Sequence, residues 1–176
     1  MSDPIARLGN LLLAANHAIA FTGAGISTES GIPDFRSPGQ GLWEKIDPEL
    51  LSVRTLRAAP ALFYRYYREL DKLITDKKPN RGHLALAALS RFGVLRAVVT
   101  QNIDGLHQMA GSKNVLELHG SVHRNSCMKC RKAFPLQYII DAPGVPLCDA
   151  CGGVVKPDVV LYEEGLDNDI IDASIK

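Results

Sequence analysis

Apolar positions along the chain fall into two kinds of run, one with helical spacing and one short and continuous. "DPIARLGNLLLAANH", residues 3–17, puts Ile5, Leu8, Leu12 and Ala15 on one helical face, with Asp3 able to cap it and Pro4 suited to the first turn. "AIAFT", residues 18–22, is a short apolar run that stops at a glycine, the pattern of a buried parallel strand. "SPGQGLWEKIDPELLSV", residues 37–53, is rich in Pro and Gly and reads as a loop with a short helix. "RAAPALFYRYYRELDKLI", residues 57–74, reads as one helix crowded with Phe63, Tyr64, Tyr66 and Tyr67. "PNRGHLALAALSRFG", residues 79–93, reads as a helix capped by Asn80, ended by Gly93, with Leu84, Ala88 and Phe92 sharing a face. "VLRAVVTQN" and "NVLELHG" are a second and a third strand, and "KPDVVLYEE" is a fourth extended run. Strands alternating with helices predict an α/β fold with a parallel sheet. The segment between the third and fourth runs breaks that alternation and reads as a separate small module.

The last stretch, "LDNDIIDASIK", has Ile170, Ile171 and Ile175 at helical spacing, with no closing glycine and no strand after it. Two readings stand: a βα unit that stops halfway, so that the C-terminal part of the sheet is missing, or a frayed tail.

Composition narrows the functional classes. The chain has 176 residues, enough for one ordinary domain with a small insert, and 46% of them are hydrophobic. A formal charge of +1 makes no case for general nucleic-acid or membrane-surface binding. The N-terminus lacks the basic segment and cleavage site of a secretory signal, and its apolar run is too short to span a bilayer, so a cytoplasmic location is expected.

Four polar patterns carry candidate chemistry. Gly23 and Gly25 follow the first strand as in G-x-G-x-x-G, although Thr28 stands where the third glycine belongs. Such a turn lets exposed N–H groups approach a pyrophosphate, with Ser27 and Thr28 as further donors; a tight structural turn is the other reading. "TQNIDGLH" brings Gln101, Asn102 and Asp104 to the carboxyl end of the second strand, where ligands of parallel sheets sit. They suit ribose hydroxyls or a carboxamide, and equally a polar turn capping the next helix. "ELHGS" puts His119 on the same rim, as a general base or a merely exposed histidine; His107 could support the site from behind. Cys127, Cys130, Cys148 and Cys151 form C-x2-C-x17-C-x2-C, suited to a closed tetrahedral Zn²⁺ site of structural type, against the alternative of two redox pairs.

Taken together and in order, Gly23-Ala-Gly-Ile-Ser27, Gly31-Ile-Pro-Asp-Phe-Arg36, Thr100-Gln-Asn-Ile-Asp104, His119-Gly120 and the two Cys pairs resemble the sirtuins, of bacterial type, from about Ile5 onward. The resemblance implies a Rossmann-like NAD-binding domain over residues 1–122 and 156–176, incomplete at its C-terminal side, with a zinc-ribbon domain inserted over 123–155. It implies NAD-dependent removal of acetyl from protein lysines, yielding nicotinamide, free lysine and O-acetyl-ADP-ribose. NAD would be a co-substrate and zinc structural. By the same resemblance Gly23, Ala24, Gly25, Ser27 and Thr28 would lie against the phosphates and ribose. Asp34, Ile103 and Asp104 would hold the carboxamide, Phe35 would shield the reacting ribose carbon, and Arg36 would sit in the cofactor loop. Gln101 and Asn102 would contact the nicotinamide ribose or an ordered water, Asn102 in a catalytic position, and His119 would be the general base. Val160 and Tyr162 would flank the acyl-lysine in the segment that pairs with the substrate backbone.

Three departures qualify the resemblance. Glu163 stands where family members commonly have glycine. Tyr67 stands where succinyl-removing sirtuins carry arginine three residues after the tyrosine matching Tyr64, so acetyl is the expected group. The chain also stops before the family's Gly-Ser/Thr-Ser turn, so its activity could be impaired. Two other functions remain open on sequence: a non-catalytic zinc-ribbon and nucleotide-binding module, and an NAD-dependent mono-ADP-ribosyltransferase. Acetyl-lysine proteins are the expected partners, with no membrane or direct nucleic-acid binding.

Overall fold

A computed structural model describes residues 3–39, 41–44 and 46–176; Gln40 and Lys45, inside the predicted loop, lie outside the described residues. Helix α1, Pro4–Ala14, begins where Asp3 accepts a hydrogen bond from the Ile5 N–H. Its apolar face is uncovered: Ile5, Leu8, Leu11 and Leu13 are all exposed.

Strands β1 (Ala18–Thr22), β2 (Leu95–Thr100) and β3 (Val115–Glu117) form a parallel sheet in the order β1-β2-β3. Strand β2 is central, with five of its six residues buried, as expected of a β-rich apolar run covered on both faces. The register pairs Thr22 with Thr100 and Thr100 with Glu117, so the chain leaves all three strands on one rim.

The aromatic segment is two helices, α2 (Val53–Ala58) and α3 (Pro60–Ile74), not the single helix expected from residue 57. Pro60 has no N–H for the preceding turn and its ring crowds the residue before it, so Ala59 leaves helical geometry and α3 starts afresh. Helix α4, Arg81–Arg91, has the expected Asn80 cap, completed by His83 Nδ1 accepting from the Asn80 N–H. Its inward face differs from the expected one. His83 and Ala87 are buried, whereas Leu84 and Phe92 are exposed. The cap explains this: Asn80 Nδ2 also donates to the Ile26 carbonyl at 2.6 Å, which turns the His83 face of α4 toward the glycine turn.

After the short helix α5, Leu106–Met109, and β3, a second sheet forms. Strands β4 (Gly120–Cys127), β5 (Ala133–Pro135) and β6 (Val155–Val159) are antiparallel, in the order β5-β4-β6. The fourth extended run therefore joins this sheet through Val155–Val159, not the parallel one. Gly120 makes the switch between sheets possible. It has φ 75°, and a Cβ there would stand 1.9 Å from the Asp158 carbonyl oxygen. Helix α6, Leu136–Asp141, covers β5, and α7, Asn168–Ile175, is capped by Asp167.

The main core lies between α3 and the antiparallel sheet. Phe63, Tyr64 and Tyr67 pack with Val122, Phe134, Ile139, Val155 and Cys127. The Tyr64 hydroxyl donates to the Val155 carbonyl, tying α3 to β6. Among the described residues no helix is long and apolar enough to cross a membrane.

Candidate active-site cleft

A cleft of about 460 Å³ opens along the rim of the parallel sheet and extends between α3 and the segment after β6. Gln101, Asn102, Ile103 and Asp104 leave β2 on one side of it, with His119 beyond β3. Ala24 and Ser27 reach it from the turn after β1, which runs on as a 3₁₀ helix over Ala24–Ser30. Phe35, Arg36 and Trp43 come from the following loop. That loop folds back on itself: the Leu42 N–H donates to the Asp34 carbonyl at 2.8 Å and the Trp43 N–H to the Phe35 carbonyl at 3.1 Å. The Phe35 and Trp43 rings stack at 5.0 Å, and Trp43 meets the edge of Tyr162 at 5.8 Å. Val160 and Tyr162 also line the cleft.

A buried polar network holds the rim. Ser27 Oγ donates to Asp104 Oδ2 at 2.7 Å and accepts from Asn102 Nδ2 at 3.1 Å. Asp104 Oδ1 accepts from the Leu106 N–H at 2.9 Å, which starts α5. Thr100 Oγ1 accepts from Thr22 Oγ1 at 2.8 Å and from the Asn102 N–H at 3.1 Å. Asp104 thus holds the polar turn before α5, whose N-cap is Gly105, with one oxygen on the Leu106 N–H and the other on Ser27.

His107, expected behind the site, and His83, which spacing did not single out, complete the network. His83 Nε2 lies 3.5 Å from Ser27 Oγ, and His107 Nε2 lies 2.9 Å from Thr22 Oγ1. Their rings meet edge-to-face at 4.8 Å. Burial pushes His107 down to about 4, with His83 beside it adding to the effect, and burial lowers His83 as well. Both are therefore neutral at neutral pH and act as hydrogen-bonding groups. The signal for His83 was present in the sequence only as the third residue of a capped helix; its approach to Ser27 depends on how that helix docks.

Of the remaining expected residues, Gly23, Gly25, Thr28 and Asp34 stand off the wall. The Thr28 hydroxyl donates back to the Gly25 carbonyl at 2.9 Å, and Gly23 caps the 3₁₀ helix. Asp34 organises its own loop. It accepts from Ser37 Oγ, the Ser37 N–H and the Arg36 N–H, and the Ser37 bonds hold its carboxyl below the usual range. His119 is on the wall, and its carbonyl accepts from the Val160 N–H at 3.0 Å, fixing the segment after β6 to the rim.

Cys127, Cys130, Cys148 and Cys151 bring four Sγ atoms within 4.8 Å of one another. Cys127 and Cys151 approach to 3.5 Å, and Cys130 and Cys148 to 3.6 Å. A tetrahedral zinc with bonds of about 2.3 Å needs sulfur–sulfur edges of about 3.8 Å, so the donor set and its spacing fit. The Lys129 and Cys130 N–H groups point at Cys127 Sγ, and their hydrogen bonds, that of Cys130 foremost, draw its thiol down to about 6. None of the four lines the cleft.

A family model described as the Sir2 family matches residues 23–176. The NAD-dependent protein deacetylase of Clostridium acetobutylicum is 50% identical over 181 aligned residues, covering 99% of this chain and 73% of that protein. The NAD-dependent protein deacetylase of Sulfurisphaera tokodaii is 49% identical, covering 92% of this chain and 66% of that protein. Among solved structures, a Sir2 with a deacetylated p53 peptide and 3'-O-acetyl ADP ribose superposes with a TM-score of 0.91 at 38% identity, covering 97% of this chain and 70% of that one. A Sir2 with p53 peptide and NAD+ superposes at 0.89 and 37% identity, covering 98% and 70%.

Proposed function

The chain belongs to the Sir2 family, and from that premise we propose that its cleft removes acetyl groups from protein lysines with NAD as co-substrate. The observation that carries the reading is the convergence on one cleft of Asn102, Asp104 and His119 from the sheet rim, with the Phe35–Trp43 stack on the opposite loop. An apolar wall and a polar rim in one cleft suit a lysine acyl chain meeting a charged dinucleotide.

NAD, when bound, supplies the ribose carbon that the acyl oxygen attacks and the nicotinamide that departs. The chain's own residues divide the remaining work. Ala24, Gly25 and Ser27, with Gly23 and Thr28 shaping the turn, lie against the phosphate and ribose and offer backbone N–H groups there. Asp104, Ile103 and Asp34 hold the carboxamide, and Asn102 and Gln101 position the ribose. Phe35 covers the reacting carbon and excludes water, which suppresses plain NAD hydrolysis. Arg36 belongs to the loop that covers the cofactor. Val160 and Tyr162 hold the acyl-lysine, and His119 draws the proton from the ribose hydroxyls as general base.

Zinc belongs at the four cysteines, where it clamps β4 to the turn before β6 and takes no part in the chemistry, since no cysteine reaches the cleft. We read the unit it organises as residues 123–155 and the NAD-binding part as 1–122 and 156–176, with the β4–β6 pairing running across both boundaries. Acetyl is favoured over acidic acyl groups because Tyr67, not an arginine, is what α3 brings to the cleft wall three residues after Tyr64. Arg68 Nε donates to the Ile139 carbonyl at 3.4 Å, and its terminal nitrogen donates to the Gly144 carbonyl. A cytoplasmic location and acetylated proteins as partners complete the reading.

The test mixes the 176-residue chain, zinc and NAD with an acetyl-lysine peptide, and follows products by mass spectrometry. Deacetylated peptide together with O-acetyl-ADP-ribose is expected. His119→Ala should lower turnover by about 10²–10⁴-fold with NAD affinity retained. ADP-ribosylated protein with the acetyl group intact would overturn the deacetylase reading.

A further inference from the structure

Beyond β6 the chain makes a tight turn, in which the Glu164 N–H donates to the Leu161 carbonyl at 3.0 Å. Glu163 is the third residue of that turn, with φ 74°. Glycine is the residue such a turn ordinarily carries there, because a left-handed backbone disfavours a Cβ. The surroundings hold glutamate in this conformation. The Tyr162 carbonyl accepts from the Val53 N–H at 3.2 Å, and the Leu161 N–H donates to Glu164 Oε2 at 2.9 Å.

Glu163 lines the cleft, with its side chain 46% exposed. Its carboxylate lies 3.0 Å from Arg54 Nη2 on α2, and the same nitrogen pairs with Glu49. One guanidinium thus serves two carboxylates, and one negative charge is left over. The other charges of the wall balance in number. Glu164 is matched by Lys156 at 3.0 Å, and Arg36 is offset by the carboxylate of Asp104.

The excess charge sits on the segment read above as pairing with the substrate backbone. Val160 and Tyr162 flank the acyl-lysine there, and Glu163 is the next residue along. Its carboxylate therefore faces a residue beside the acyl-lysine, not the acyl group. A lysine or arginine at that place gains an attraction, and an aspartate or glutamate meets repulsion. We propose that Glu163 is a specificity-determining residue for the peptide, so that the cleft prefers acetyl-lysine with a basic neighbour over acetyl-lysine with an acidic one. The inference rests on the deacylase reading of the cleft and names the class of protein segment it takes.

The experiment uses the full chain and acetyl-lysine peptides that differ at one residue, lysine or glutamate, placed in turn at the two positions on each side of the acetyl-lysine. Dissociation constants are measured by calorimetry without NAD at low ionic strength, and kcat/KM with NAD. At one position or more the lysine peptide is expected to bind about fivefold more tightly than the glutamate peptide, the size of one exposed ion pair. Added salt should shrink that ratio. The chain's formal charge of +1 opposes such a preference, so overall charge does not produce it. Glu163→Gln should bring the ratio close to one, and Glu163→Lys should invert it. Glu163→Gly, whose backbone suits the turn, removes the charge with least risk to the fold and should also give a ratio close to one. Arg54→Gln leaves both carboxylates uncompensated and should raise the ratio. A ratio of one at every position in the native chain, or a ratio that the Glu163 substitutions leave unchanged, overturns the proposal. Deacetylation of both peptides with equal affinity would sink this inference alone. Absence of binding and turnover for every peptide would sink the deacylase reading and this inference with it.

Discussion

Asp71 makes stability depend on pH in a direction opposite to that of a carboxylate paired with a cation in the folded state. Burial raises its pKa from 3.8 to about 7, against the smaller opposing effects of Tyr67 and Arg68. The folded chain therefore keeps a proton that the unfolded chain releases above the ordinary carboxylate pKa. Its contribution to stability is fully present below pH 3.8 and is lost as pH rises through about 7. At about 1.4 kcal/mol per pKa unit the full swing is about 4 kcal/mol. His83 and His107 slope the other way, since their depressed values mean that the unfolded chain takes up protons first as pH falls below 6.5. A difference between native and substituted proteins removes their contribution.

Asp71→Leu is the perturbation, in the zinc-loaded chain, with urea unfolding followed by far-ultraviolet circular dichroism at about pH 5.5 and about pH 8, a window in which linkage to Asp71 accounts for about 2 kcal/mol. The native chain is expected to lose about 2 kcal/mol relative to Asp71→Leu between the two conditions. At the higher pH the substituted chain should be the more stable, because it replaces a buried carboxylate with an apolar side chain. Parallel stability profiles, with no change in the difference between the two proteins, would refute the account of Asp71 as an acid that burial keeps protonated.

Gly120→Ala should destabilise by at least about 3 kcal/mol in urea unfolding, because the new Cβ strikes the Asp158 carbonyl from a left-handed backbone and displaces β6 from β4. Ser27→Ala removes the shared partner of Asp104 and Asn102 and should cost about 1–3 kcal/mol by the same measurement, with weaker NAD binding by calorimetry. Cys148→Ser, or chelation, should release the zinc and strip amide-exchange protection from β4 and β6 before the parallel sheet, read by mass spectrometry. Equal exchange with and without metal would contradict a structural role for the cysteine cluster.

The features that sequence alone determined are local ones. Apolar runs located β1, β2 and β3, the Asn80 cap located α4, and the two C-x2-C pairs marked the cysteines that cluster, because each depends only on residue type and short spacing. The sirtuin motifs were legible for the same reason, since the parallel register carries Thr22, Thr100 and Glu117 to one rim and the polar residues that follow them arrive together. Tertiary structure decided what depends on a distant partner. The stripe of Leu84 and Phe92 looked like the inner face of α4, yet the bond from Asn80 to Ile26 turned His83 and Ala87 inward. The run at Val155–Val159 carried no mark of its sheet, because an extended segment pairs with whichever edge the preceding fold presents, here β4. Nor could the spacing of Tyr67 and Asp71 show that their polar atoms would be buried without a bond from Arg68 or the Tyr64 hydroxyl. That follows from Arg68 and Tyr64 being drawn to carbonyls far along the chain, and side-chain periodicity along one helix holds no record of them.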